Sequence, residues 1–507
     1  MKIKKIAIVG AGTAGWLAAN HLGKSLKNRG ISITLIESPD IPTIGVGEGT
    51  VPMMRETLKS FGISETEFFR RCDASFKQSI KFVNWLDKYT HGEQNYYHHL
   101  FDYPFPNNYD LTPFWLSKQN IPYSEAVSFQ SKVCDSLLAP KFKTTAEYHG
   151  ETTYAYHLNA KSFASLLKEN AISKFNVNHK IANVTDVEFD DEGFIKALEL
   201  DNEATDSYDF YIDCTGFNCF LLGEKLGVEF TCLGNKLPID TAITAQVPVS
   251  NNQEIPPYTI ATAHQAGWIW DIGLQTRRGT GFVYSSKHLS HDQARAKFEK
   301  YLGLSLDSVM TKRIPMNIGY REHFWKKNCV AIGLSQGFVE PLEATAILVT
   351  DFCARHLAER FPHTLSESEN RAKTFNRNVK YTWDRVVDFI QLHYYLSDRN
   401  DSQFWRDWKN KALLSDDLLE KLDLWRTHPP ISTDFSSKFE VFDVENYLYV
   451  LYGMRFNTQS PSFNDNDAAL ADDILAMVDQ HAEVLKSKLP SHRELLENIN
   501  KYPMPKV

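Results

Sequence analysis

The 507-residue chain has no run of about 18 apolar residues, the length a helix needs to cross a bilayer. Its first apolar run, Ile6-Ala7-Ile8-Val9, passes straight into glycines. That run is too short for the core of a secretion signal and reads as a first strand. Cysteine is sparse, with 7 residues at positions 72, 134, 214, 219, 232, 329 and 353 and no Cys-x-x-Cys. An odd, scattered set argues against a disulfide framework and for reduced thiols in a cytoplasmic protein. No metal constellation is present, since the His98-His99 pair lacks the carboxylate and spacing of a zinc helix. Excess positive charge is also missing. The formal net charge of -8 argues against nucleic-acid binding and provides no polybasic membrane anchor. Internal repeats and low-complexity segments are absent.

Aromatic residues, by contrast, are plentiful, at 13% of the chain with 10 Trp, 22 Tyr and 32 Phe. They suit flat-walled pockets and large cores alike. At this length the chain exceeds one simple core, and two or three packed lobes are expected.

The first fifty residues carry a dinucleotide fingerprint. After the strand at 6–9 come Gly10-Ala11-Gly12-Thr13-Ala14-Gly15, a helical run from Trp16 to Lys24, and a second strand, 31–36, that ends in Glu37. Strand, glycines, helix and a later acidic residue form the setting in which Gly-x-Gly-x-x-Gly is specific. Gly10 permits the tight turn, Gly12 lets backbone approach a pyrophosphate, and Gly15 lets helix and strand pack closely. Thr13 and Ala14 stand in the glycine turn before the helix, whose N-terminus attracts the diphosphate, and Glu37 can accept from ribose hydroxyls. A second glycine strip follows at Ile44-Gly45-Val46-Gly47-Glu48-Gly49-Thr50, where glycines clear room for a ligand. Gly47 and Glu48 are its candidate cofactor contacts. Far downstream, a strand at 210–214 ends in Thr215-Gly216, and another at 328–332 ends in Gly333-Leu334. Returning strands of this kind rebuild a flavin site in FAD-dependent hydroxylase folds.

Three further stretches make the likeness specific. They are Phe76-Lys77-Gln78-Ser79-Ile80-Lys81-Phe82-Val83-Asn84-Trp85, then Gly267-Trp268-Ile269-Trp270-Asp271-Ile272-Gly273, then Glu340-Pro341-Leu342-Glu343-Ala344-Thr345-Ala346-Ile347. With the fingerprint and the Gly-Val-Gly-Glu strip they resemble the tryptophan-halogenase family of flavin-dependent halogenases, from residue 3 to residue 347. Gly273 replaces the proline usual after Trp-x-Trp-x-Ile, and Ala346 replaces a glycine.

The resemblance implies an α/β fold. An FAD-dependent monooxygenase-like flavin lobe, with a Rossmann-type βαβ unit and a mixed sheet, would carry a C-terminal, mainly helical lobe. It also implies a chemistry. FAD, reduced by a separate flavin reductase, reacts with oxygen to give a flavin hydroperoxide. A halide ion, bromide or chloride, turns this into hypohalous acid, which travels to Lys77 beside an indole-like substrate. Lys77 matches the family's essential lysine and Glu343 its catalytic glutamate, able to stabilise a developing cation and take the ring proton. Lys81 stands where the family has a second basic residue. Thr345 and Ala346 open a helix expected from Ala344 to Arg360, and their N–H groups suit halide. Leu334 and Ile347 complete the cofactor contacts. His99, Phe101, Trp268 and Trp270 are the candidate substrate residues. A flavin monooxygenase that hydroxylates its substrate, or a flavin-binding protein without turnover, stays open as an alternative.

The remaining chain divides by pattern. Residues 1–350 form the expected flavin lobe with interleaved substrate regions at 85–160 and 225–325, the first of them loop-dominated. Turns are expected at Asp190-Asp191-Glu192-Gly193 and Arg278-Gly279-Thr280-Gly281. Residues 351–507 form the expected helical lobe, where Phe375, Val379, Trp383, Val386, Val387, Ile390 and Tyr394 share one face. Asp467 to Lys488 reads as another amphipathic helix. In the stretch Asp443 to Met454 the tyrosines are spaced, and no carboxylate follows them. The pocket is therefore expected to prefer indole or a simple substituted indole over free tryptophan. Bromide is expected to outrun chloride, aided by its easier oxidation and by Ala346, whose added methyl alters the room around the ion and which is strained if its φ is positive. A homodimer is left open.

Overall fold

The computed structural model describes residues 2–41, 47–92, 95–201, 203–237, 239–250, 252–460 and 465–506, with side chains in the last segment from 467 onward. Ile44, Gly45 and Val46 of the second glycine strip lie outside the described residues.

A six-stranded sheet carries the fingerprint. Its order is Trp325–Lys326, Cys329–Ala331, Phe210–Asp213, Lys5–Val9, Ser32–Glu37, Asn178–Ile181. Neighbours are parallel except the outer pair formed by Trp325–Lys326. Ile6, Ala7 and Ile8 are fully buried, as an unbroken apolar run in a sheet covered on both faces requires. Helix Thr13–Leu26 leaves the first strand and packs against helices Ala160–Phe175 and Thr345–Glu359.

A second sheet of seven strands runs Met310–Pro315, Thr241–Pro248, Arg277–Tyr284, Gly267–Gly273, Thr259–His264, Ser79–Val83, Tyr96–Leu100. The expected turn at 278–281 is instead the middle of a strand. Its glycines serve close approach: a Cβ on Gly281 would lie 2.2 Å from the Trp270 ring, and one on Gly279 would lie 3.0 Å from Gly47 Cα. The turn at 190–193 does form, closed by the Asp190 N–H donating to Phe194 O at 3.0 Å.

A three-stranded sheet, Gly47–Gly49, Ala155–Asn159, Ser75–Lys77, fixes the geometry that matters most. Lys77 ends its strand in this small sheet, and Ser79 begins a strand of the large one. Gln78 makes the passage. Its N–H donates to Pro257 O at 2.7 Å, its Nε2 donates to Leu138 O at 2.9 Å, and its Oε1 accepts from Thr152 Oγ1 at 2.6 Å. With both backbone and side chain tied, Lys77 is held on a rigid junction rather than a loop.

Between 85 and 160 the expected loop region holds strands Tyr96–Leu100 and Ala155–Asn159 and helices Thr112–Lys118, Tyr123–Val127 and Gln130–Asp135. Helices of one or two turns are too short to display a 3.6-residue period. From Thr345 on, the described elements are helical, including the 32-residue helix Leu365–Leu396 and the helix Asp465–Lys488. The seven residues read as one face of the longer helix are all buried. One apolar cluster extends from Ile3 to Met504, so the helical part shares its core with the sheets.

Candidate active site

At the carboxyl ends of the fingerprint strands opens a cavity of about 520 Å³, where ligands bind in open α/β sheets. The three fingerprint glycines act as their spacing requires. Gly10 has φ +110°, and a Cβ there would lie 2.2 Å from Cys214 O. A Cβ on Gly15 would lie 1.9 Å from Gly10 O, so helix and strand touch backbone to backbone. A Cβ on Gly12 would meet nothing within 4 Å, because that side faces the cavity. Thr13, Ala14, Glu37, Gly47, Glu48, Leu334 and Ile347 line it too. Glu37 Oε2 accepts from His179 Nε2 at 2.6 Å and Lys168 Nζ at 3.2 Å. Oε1 of Glu37 takes no bond from the described residues. Burial pushes the Glu48 carboxyl up to about 7. An open glycine turn, a helix N-terminus and a strand-end carboxylate fit a flavin dinucleotide.

The same cavity reaches Lys77. Lys77 is fully buried, and its Nζ donates to Thr50 O at 3.1 Å. The Phe101 ring centroid lies 5.2 Å from that nitrogen. Burial lowers the ammonium to about 8, an effect the Glu343 charge partly offsets. Glu343 is 2% exposed and lies between two imidazoles, hydrogen-bonded to His99 Nδ1 at 3.0 Å and facing His393 Nε2 at 2.9 Å in a contact outside hydrogen-bond geometry. Burial pushes its carboxyl up, but His99 and His393 outweigh that and hold it at about 2.

Glu340, three residues earlier, behaves oppositely. Its Oε2 accepts from Trp268 Nε1 and Tyr394 OH, both at 2.6 Å, its Oε1 has no partner, and burial pushes it up to about 7. Two nearby carboxyls with affinities driven apart suit different protonation states at neutral pH. Helix Thr345–Glu359 starts beside them. Thr345 and Ala346 line the cavity, and Thr345 Oγ1 is buried without a partner. A bare hydroxyl next to a helix N-terminus is a setting for a small anion.

The family model described as tryptophan halogenase matches residues 5–467. The chain belongs to the tryptophan halogenase family. It is 34% identical to the tryptophan 6-halogenase SttH of Streptomyces toxytricini over 97% of each chain. The crystal structure of a tryptophan halogenase from Shewanella frigidimarina superposes with TM-score 0.95 at 38% identity, covering 100% of this chain and 99% of that one. BrvH, a flavin-dependent halogenase from Brevundimonas sp. BAL3, superposes with TM-score 0.86 at 30% identity over 98% and 99% of the two chains.

Several residues of this halogenase stand apart from what its sequence predicts. Ala346 is helical; the left-handed residue is Ala344, φ 56°. The strain argument for a bromide preference therefore falls away. Trp270 lines the cavity, whereas Trp268 is 1% exposed and is held by Glu340 away from the lining. Lys81 lies across the strand register, its Nζ 2.6 Å from Asp135 Oδ1 and over the Tyr96 ring. His99 does more than line a ring pocket, since its Nε2 also meets Asn446 Oδ1 at 3.1 Å. Asn446 Nδ2 in turn donates to Glu445 Oε1 at 2.9 Å, and Glu445 Oε2 is buried without a partner. A buried carboxylate with one unpartnered oxygen thus stands before the tyrosines rather than after them. His393, Asn446, Thr259 and His157 escape the sequence reading. Only His393 leaves a trace in it, as a titratable residue between Ile390 and Tyr394 of the face read as apolar.

Proposed function

We propose that this halogenase uses reduced FAD, oxygen and bromide or chloride to halogenate an indole-like ring, with the reduced flavin delivered by a separate reductase. The observation that carries the reading is that one cavity joins Gly12 of the fingerprint to Lys77. Bound reduced FAD supplies, with oxygen and halide, hypohalous acid at one end of that cavity. Thr345 and the N–H groups opening its helix hold the halide. Lys77, fixed by the Gln78 junction, orients the halogen toward the arene by hydrogen bonding or by carrying it on nitrogen. Glu343 stays ionised between His99 and His393, so it stabilises the cationic ring and accepts its proton. Phe101 and His99 wall the ring.

For the substrate we propose the indole ring as the recognised element, with the unpartnered Glu445 oxygen as the group that meets an ammonium tail. The relatives named above as tryptophan halogenases give a preference for free indole no support, and Glu445 removes the structural reason for one. Incubation with FAD, a flavin reductase, NADH, oxygen and bromide, with indole and tryptophan side by side, tests both points by mass spectrometry. Halogenated product is expected, with tryptophan at least matching indole. A product heavier by oxygen and free of halogen contradicts the halogenase reading and points to a monooxygenase.

A further inference from the structure

Beside Lys77 on the wall of the flavin cavity stands a polar pair, Thr259 and His157, to which the halogenation steps assign no part. Thr259 lines the cavity and accepts or donates one hydrogen bond, with His157 Nε2 at 2.8 Å. His157 is fully buried on the middle strand of the small sheet, directly opposite Gly49. Gly49 locates the group. A Cβ placed there would lie 3.3 Å from Lys77 Nζ, 3.6 Å from Thr259 Oγ1 and 3.6 Å from His157 Cδ2. Gly49 thus leaves free the space beside the three side chains that a Cβ would fill, on the wall of the same cavity.

The direction of the Thr259–His157 bond follows from the next partner along. Ser75 Oγ has one proton, and it donates that proton to Gly273 O. Toward His157 Nδ1, 3.4 Å away, Ser75 can then only accept. The Nδ1 atom therefore carries the imidazole proton. Burial, and then the nearby Lys77 charge, hold His157 well below its ordinary value, so the ring is neutral and Nε2 is bare. Thr259 must spend its own proton on Nε2, which leaves its oxygen presenting only lone pairs to the cavity.

We propose that Thr259 is a hydrogen-bond acceptor for the passing oxidant. Its oxygen takes the O–H of hypohalous acid and leaves the halogen facing Lys77 and the arene. This inference rests on the halogenase reading. In the transfer itself the new carbon–halogen bond forms as the oxygen–halogen bond breaks, and the bonding pair stays on oxygen. That oxygen takes a proton from the Lys77 ammonium and leaves as water, while the ring proton goes to Glu343. Lys77 is made whole again by the proton on Glu343, so arene and hypohalous acid become halogenated arene and water. A valine at 259 keeps the shape but offers the oxidant no acceptor, and an unguided oxidant escapes.

Thr259→Val and Thr259→Ser are compared with the wild-type holoenzyme at matched flavin reoxidation, with a soluble cyclic 1,3-diketone trapping free hypohalous acid. The valine variant is expected to lose roughly 10-fold in halogenated arene per oxidant formed, the worth of one hydrogen bond. Trapped oxidant should rise by the amount the arene loses, and serine should restore the wild-type ratio. An unchanged ratio in the valine variant overturns the proposal, as does a serine variant that leaks as much as valine. Histidine nitrogen NMR on the flavin-free wild-type protein reads the bond direction without any substitution. Unprotonated Nε2 at His157 is expected, and a protonated Nε2 overturns the proposal even if the variants fail to fold. A wild-type enzyme that yields neither halogenated arene nor trapped oxidant contradicts the halogenase reading itself, and with it the proposed role of Thr259.

Discussion

Among the described residues two lysines, Lys77 and Lys141, are fully buried, and each has a buried glutamate nearby, yet their surroundings differ. Lys141 Nζ meets Glu65 Oε2 at 3.1 Å, Ala146 O at 2.8 Å and Tyr154 OH at 3.3 Å. Glu65 is equally saturated, accepting from Tyr154 OH at 2.7 Å, Tyr156 OH at 2.6 Å and the Tyr148 N–H at 2.6 Å. Lys77 has one bond, to Thr50 O, and Glu343 reaches it only through its field. A buried charge whose every valence is filled ties elements together. One left with unused donors, on the wall of a cavity, is held ready for a molecule that comes and goes.

The largest effect expected from breaking this contrast is on turnover at Lys77. Lys77→Ala should lower halogenated product by roughly 10³-fold or more, the scale of losing an orienting covalent or hydrogen-bonding group. Flavin binding should survive; fluorescence titration with FAD and product analysis read the two separately. At the other lysine the effect falls on folding. Lys141→Met leaves Glu65 buried without its cation and should cost about 3–5 kcal/mol in urea unfolding, with little change in rate per folded molecule.

Next comes Glu343→Gln, which keeps the shape but loses the charge that His99 and His393 hold in place. A fall of roughly 10²-fold in product is expected, and an unchanged rate would mean that solvent takes the ring proton. The smallest effect sharpens the comparison by its sign. Folding lowers Lys77 to about 8, so between that pH and its unfolded value near 10.4 the folded state binds fewer protons than the unfolded one. Wild-type stability should therefore rise with pH across that window. Lys77→Met should be the more stable protein at pH 7, by on the order of 2–3 kcal/mol. That advantage should disappear as the pH approaches 10.4, and denaturant unfolding across the range reads it.

Much of the site is written locally, and that part is legible in the sequence. Gly10, Gly12 and Gly15 sit within six residues, and their roles follow from spacing alone. Lys77 and Glu343 lie in short stretches whose likeness to one family is specific. What the sequence hides is assembled over distance. Thr259 and His157 are 102 residues apart in the chain, and neither belongs to a motif; only the pairing of separate strands brings them to Lys77. His393 lies beside the residues read as one buried face of its helix, but an apolar period has no way to mark which residues, His393 and Tyr394 here, turn toward a carboxylate. Gly279 and Gly281 mislead for a related reason. Glycine marks both turns and close approach, and only the Trp270 ring and the Gly47 backbone decide between them.

The central claim is that oxidant made at the flavin reaches the substrate only through Lys77. Its most direct test is a mass balance on the wild-type enzyme and Lys77→Ala: flavin reoxidised, free hypohalous acid trapped, and halogenated arene formed, all in one reaction. The account predicts equal reoxidation in both proteins, arene product from the wild type, and only trapped oxidant from the variant. A variant that still divides its oxidant between trap and arene as the wild type does would contradict it.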